Sequence, residues 1–116
     1  MNDHSTIRAC LDLADSIVPN VLPRGTKLRW LGEIEGKIAV ELQGRDPSTT
    51  NAFDGNTALT TILPVPHPYD QVYWMYLVAM IHYALGDAAR YEQAAALFNA
   101  AYRDYAKWLK RKGDAS

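Results

Sequence analysis

One cysteine, Cys10, stands alone in a chain of 116 residues, so neither an intramolecular disulfide nor a cysteine-built zinc site is available. It lies in an amphipathic stretch with no histidine a helical turn away, which marks a structural thiol and fits a reducing compartment. An excess of one charge is also missing. Twelve Lys and Arg against thirteen Asp and Glu leave a formal net charge of -1, so no global field draws the whole molecule to nucleic acid or to an anionic membrane. The longest apolar run, Val72 to Leu85, is interrupted by His82 and is too short to span a bilayer. Met1 to Ser5 lack the basic and apolar regions of a signal peptide, and a cytoplasmic protein is expected.

Signatures of chemistry are equally sparse. The chain has no glycine-rich phosphate loop, no Gly-x-Ser-x-Gly elbow and no paired Cys and His. His4, His67 and His82 do not recur at metal-ligand spacing. Asp12 and Asp15, and Glu33 and Glu35, read as solvated carboxylates, because an acid/base pair needs a cleft that separates two pKa values. The expectation is therefore no catalytic residue, no cofactor and no metal.

What is present is helical periodicity. The length suits one domain with a single core, taken as residues 1–116. Ser5 or Thr6 can cap a first helix whose apolar positions Ile7, Leu11, Ala14 and Val18 precede Pro19-Asn20. Leu28, Leu31, Ile34, Ile38 and Leu42 form the stripe of a second helix ending near Gly44, with Lys27, Glu33, Lys37 and Glu41 facing elsewhere. Gly32 and Gly36 inside it point to close packing against another backbone. Residues 45–66 lose all periodicity and read as a long loop, mobile in the free protein, with one short strand within Ala58 to Val65. Pro68 suits the first turn of a third helix, packed on several sides, and Gly86 and Asp87 separate it from a long fourth. The pattern predicts an all-α fold of four helices near residues 5–18, 23–43, 68–85 and 87–112, with Leu31, Ile38, Leu77, Ile81 and Phe98 in one core.

All seven tyrosines follow Pro68, and large amphipathic rings suit an interface as well as a core boundary. Tyr69, Tyr91, Tyr105 and Trp108 are the aromatic residues expected outside the monomer core. Arg103, Lys107, Lys110, Arg111 and Lys112 gather positive charge at the end of helix four, where cations favour the helix dipole. Lys110, Arg111 and Lys112 join the four aromatic residues as the candidate interface, and an acidic protein surface is the partner they suit.

The order of a helix over Ile7 to Ser16, then Pro19-Asn20, then Lys27-Leu28-Arg29-Trp30-Leu31 with Glu33, Gly36-Lys37-Ile38 and Glu41 resembles small proteins encoded in the head-morphogenesis modules of tailed bacteriophages and prophages. The second half is similar too, through Leu63-Pro64-Val65-Pro66-His67-Pro68-Tyr69-Asp70, Tyr73, Tyr76-Leu77, Ala89-Arg90-Tyr91, Phe98-Asn99-Ala100-Ala101-Tyr102 and Trp108. The likeness covers nearly the whole chain, except that Arg45 to Ala58 carries no matching motif. It implies a head-tail connector (adaptor, head completion) protein: a helical subunit forming a homo-oligomeric ring beneath the portal, as a platform for the tail. Portal and other head-tail proteins would be its partners, and the bacterial host cytoplasm and then the virion its location. Neither a membrane nor direct nucleic acid contact belongs to that role. A rival resemblance lies in Gly86-Asp87 followed by Tyr91, Ala94, Phe98 and Ala101, which looks like half of a tetratricopeptide hairpin and implies a peptide-binding adaptor. No second copy recurs at that repeat's period.

Overall fold

A computed structural model of the chain describes residues 4–50 and 52–114. Among the described residues, four helices and one two-stranded antiparallel sheet follow in the order β1 (His4–Thr6), α1 (Ile7–Ile17), α2 (Arg24–Glu41), β2 (Ile62–Pro66), α3 (Gln71–Ala84) and α4 (Ala88–Asp114). A single 3₁₀ turn, Pro47–Thr49, interrupts the connection from α2 to β2. The fold is thus largely helical, as the periodicity predicts.

Thr6 caps α1 by accepting a hydrogen bond from the Ala9 amide at 3.1 Å, and the buried stripe Ile7, Cys10, Leu11 and Ala14 follows helical spacing. The residues before it depart from expectation: His4–Thr6 is a strand, paired with β2, rather than the start of the helix. The free amides of the first helical turn explain the join. Ile7 N donates to Thr61 O at 3.0 Å and Arg8 N to Leu59 O at 2.9 Å, so the 59–61 turn satisfies donors that have no partner inside α1.

α2 buries Leu28, Leu31, Ile34 and Ile38, and Gly44 follows its end at φ +70°, a conformation that costs other residues more. Gly32 is where the following segment crosses the helix. A Cβ there would stand 2.8 Å from the Phe53 backbone nitrogen, whereas one at Gly36 would meet nothing nearer than Thr50 Oγ1 at 3.8 Å. Gly32→Ala should therefore lose about 1–2 kcal/mol despite its gain in helix propensity, and Gly36→Ala should gain about 0.5–1 kcal/mol. Urea unfolding of the two variants checks this; stabilisation by Gly32→Ala would show that the crossing yields.

The same crossing corrects the reading of residues 45–66 as a segment with little to bury. Leu63 and Val65 are fully buried, Phe53 and Leu59 pack against the core, and the alternation along β2 sends Ile62 and Pro64 outward. Phe53, Leu59, Leu63 and Val65 tie this segment to the core.

α3 is the hub against which α1, α2 and α4 all pack, and Val72, Tyr73, Leu77, Val78, Ala79 and Ile81 are buried around its circumference. It starts at Gln71, not at Pro68, which instead sits in a turn after a cis His67-Pro68 bond. Gly86, at φ +77°, closes the helix, and the Asp87 carboxylate accepts from the Arg90 amide at 3.1 Å to begin α4. α4 has 27 residues, about 40 Å of helix, and turns Ala94, Phe98, Ala101 and Tyr105 to the core. Leu31, Ile38, Leu77, Ile81 and Phe98 are all buried in the same cluster.

Candidate functional site

The aromatic residues expected at an interface fall into two groups. Tyr105 is 1% exposed and belongs to the core, which contradicts its assignment to the outer surface. Its position on the inward stripe with Phe98 and Ala101 puts it under Tyr69 and Trp108, with ring centroids 5.7 and 6.0 Å away, and its hydroxyl accepts from Gln43 Nε2 at 3.2 Å. Tyr69 and Trp108, 5.3 Å apart, are half-buried members of that stack. Lys112 covers the indole of Trp108 with its ammonium 5.1 Å from the ring, a cation–π contact that leaves the ring less free for a partner. Tyr91 is half-buried and meets the exposed Tyr83 at the far end of α4. Lys110 and Arg111 are exposed and form no ion pair among the described residues. The seven candidates are therefore not one surface.

Two polar clusters escaped the sequence reading. Lys27 is buried rather than solvent-facing: its ammonium lies 2.9 and 3.0 Å from the two carboxylate oxygens of Asp15 and 3.3 Å from Asn20 Oδ1. Asn20 also donates to Asp15, at 3.0 Å, so the cluster fixes the end of α1, the Pro19 connector and the start of α2. Asp15 is consequently not a freely solvated carboxylate. Both partners of the ammonium lie in the stretch that α1 and α2 must fold back to bring near Lys27, which charge patterning along the chain does not reveal.

The second cluster centres on Tyr73, whose buried hydroxyl accepts from the Val65 amide at 3.0 Å and makes a long contact, 3.5 Å, to Glu35 Oε1. Burial pushes Glu35 up to about 7, only partly offset by the Tyr73 hydroxyl and the charge of Arg45. Burial and the same carboxylate raise the Tyr73 phenol. Glu35 also lines a recess of about 180 Å³ between α2 and β2. Cys10 is buried, and burial with the nearby charge of Asp70 pushes its thiol up to about 12, against a hydrogen bond from Ser5 that lowers it. Such a thiol stays protonated and poorly nucleophilic.

An apolar surface feature lies elsewhere. α1 and α4 flank α3 with a groove of about 610 Å³ between them, its floor formed by Val78, His82 and Leu85 and its walls by Ile17 and Leu97. Leu97 is 61% exposed, Leu85 52% and Ile17 47%. Large aliphatic side chains clustered around one recess mark a protein contact surface more specifically than scattered exposed ones do. Leu97 lies off the buried stripe of α4, on the flank toward α1, and only the position of α1 shows that it edges a groove.

No helix among the described residues is long and apolar enough to cross a membrane. Comparison with protein-family models, with curated proteins and with solved structures finds no match to this chain.

Proposed function

We propose that this chain is a structural assembly subunit, a head-tail connector of a tailed phage or prophage that forms a ring at the portal. The observation that carries an assembly role is the apolar groove between α1 and α4, with Ile17, Leu85 and Leu97 exposed around it. The connector role itself rests on the resemblance of residues 7–41 and 63–108 to head-morphogenesis proteins. In this reading the built-in 45–66 segment and the ends of α3 and α4 supply side-to-side contacts, and identical subunits joined through two different patches close into a ring when the rotation allows. Lys110 and Arg111, exposed at the end of α4, meet an acidic surface on the portal and raise the rate of encounter more than the affinity. The reading assigns no catalytic group and no cofactor.

The test is complementation. Heads made without this protein should fail to join tails, and purified protein added back should restore infectious particles. Heads that join tails equally well in its absence would contradict the proposal. The tetratricopeptide-like alternative requires a monomer that captures a peptide, and it gains if the added protein stays monomeric throughout.

A further inference from the structure

The exposed flank of α4 carries a pattern that neither the core nor the Tyr69–Tyr105–Trp108 stack uses. Arg90, Gln93, Leu97, Ala100 and Asp104 follow three- and four-residue steps, so they share one face, and all five are exposed. Arg90, Gln93 and Leu97 of this face are also part of the groove wall. Its charges are ordered about Leu97. Arg90 lies seven residues before it and Asp104 seven after, each about 10.5 Å along the axis. Asp104 and Lys107 make no ion pair among the described residues, and the one contact of Arg90, to Asp87, is a long 3.6 Å pair on the surface.

We infer that a second copy of this chain occupies the groove, its α4 lying antiparallel to the first about a two-fold axis at Leu97. In an isologous contact residue i meets j and j meets i, so a face that pairs with itself must carry opposite charges at equal distances from its centre. This face does. Antiparallel pairing sets Leu97 against Leu97 of the partner subunit and Arg90 against Asp104 of the partner subunit. The same placement lays the second helix over Leu85 and Ile17 and removes their exposed apolar surface from water. An unrelated amphipathic helix could fill the recess, but it would not require this charge order about Leu97. A formal net charge of -1 puts little general repulsion between two copies. Ala100, small and exposed beside Leu97, permits close approach of the two helices.

The inference rests on the reading that the chain works through contacts with its own copies, but not on ring closure, since an isologous contact ends at a pair. Sedimentation of the full chain from micromolar to near-millimolar concentration tests it. A reversible dimer is expected, weakened about 100-fold or more by Leu97→Asp. Arg90→Asp and Asp104→Arg should each weaken it about tenfold, and the double variant should return to within about threefold of the parent. All three positions altered here are exposed, and circular dichroism with urea midpoints confirms folding; Leu97→Ser provides a milder variant with the same direction of effect. A monomer at every concentration, a dimer indifferent to Leu97→Asp, or a double variant no better than either single one overturns the pairing. A chain that is monomeric alone at every concentration yet forms rings on a portal would overturn it and leave the connector reading intact, whereas a Leu97-dependent dimer that forms no ring would support it and count against that reading.

Discussion

Tyr105→Ala is expected to lower stability by about 3–5 kcal/mol, the cost of emptying a large buried aromatic site. Tyr91→Ala should cost about 1 kcal/mol, because that ring is already half in water. The contrast follows from position. Tyr105 fills the space beneath Tyr69 and Trp108 and its hydroxyl accepts from the Gln43 amide, so its removal leaves a cavity, two unsupported rings and an amide without its partner. Tyr105→Phe keeps the ring and should cost only about 1 kcal/mol. Urea denaturation of the three variants measures these values, and equal small losses for Tyr105→Ala and Tyr91→Ala would return Tyr105 to the surface role that its sequence neighbourhood suggests.

Glu35→Gln should have the opposite effect, and one that depends on pH. The folded protein holds this carboxyl up to about 7 while an ordinary glutamate titrates near 4.5, so folding favours the protonated form. Below about pH 4.5 both states are protonated and the group adds nothing against folding. As pH rises from there through about 7, the unfolded chain ionises freely and the native state must either hold the proton or bury a charge, so stability falls and then levels. At about 1.4 kcal/mol per pKa unit the full difference would be on the order of 3 kcal/mol, and partial exposure to water reduces it to about 1–2 kcal/mol. A glutamine of the same shape can still accept from Tyr73 and carries no charge. Its variant should match the parent near pH 4 and exceed it by about 1–2 kcal/mol at pH 8 to 9. Parallel pH profiles for the two proteins would show that Glu35 is not the group whose ionisation strains this site.

Much of this architecture is legible because helices report themselves through spacing. Leu28, Leu31, Ile34 and Ile38 recur at the helical period, and Gly44 and Gly86 mark two ends at the positive φ that glycine takes most easily. What is hidden depends on neighbours distant in sequence. The tripeptide His4-Ser5-Thr6 is too short to show strand alternation, and Thr6 is a good helix cap even while it pairs with β2. Lys27 reads as a surface cation until α1 returns Asp15 and Asn20 to its ammonium. The stripe of α4 identifies Phe98 and Tyr105 as one face, but only the Tyr69 turn shows which of its aromatic residues are covered.

The apolar flank of α4 has the same origin. Leu97 interrupts an alanine-rich helix at a position outside its core stripe, and a sequence pattern treats one such leucine as incidental. In three dimensions it stands across from Ile17 with Val78 and Leu85 between them, and its charged neighbours are arranged about it in a self-complementary order. The basic end, by contrast, divides: Lys112 is engaged over Trp108, and Lys110 and Arg111 face water.

Assembly is the centre of this account, and native mass measurement of the full chain, alone and mixed with the purified portal from the same phage or prophage, tests it most directly. The account predicts one discrete complex with a fixed number of copies bound to each portal ring, and reversible self-association of the chain as its concentration rises. A chain that remains a monomer at every concentration and leaves the portal at its own mass would contradict it.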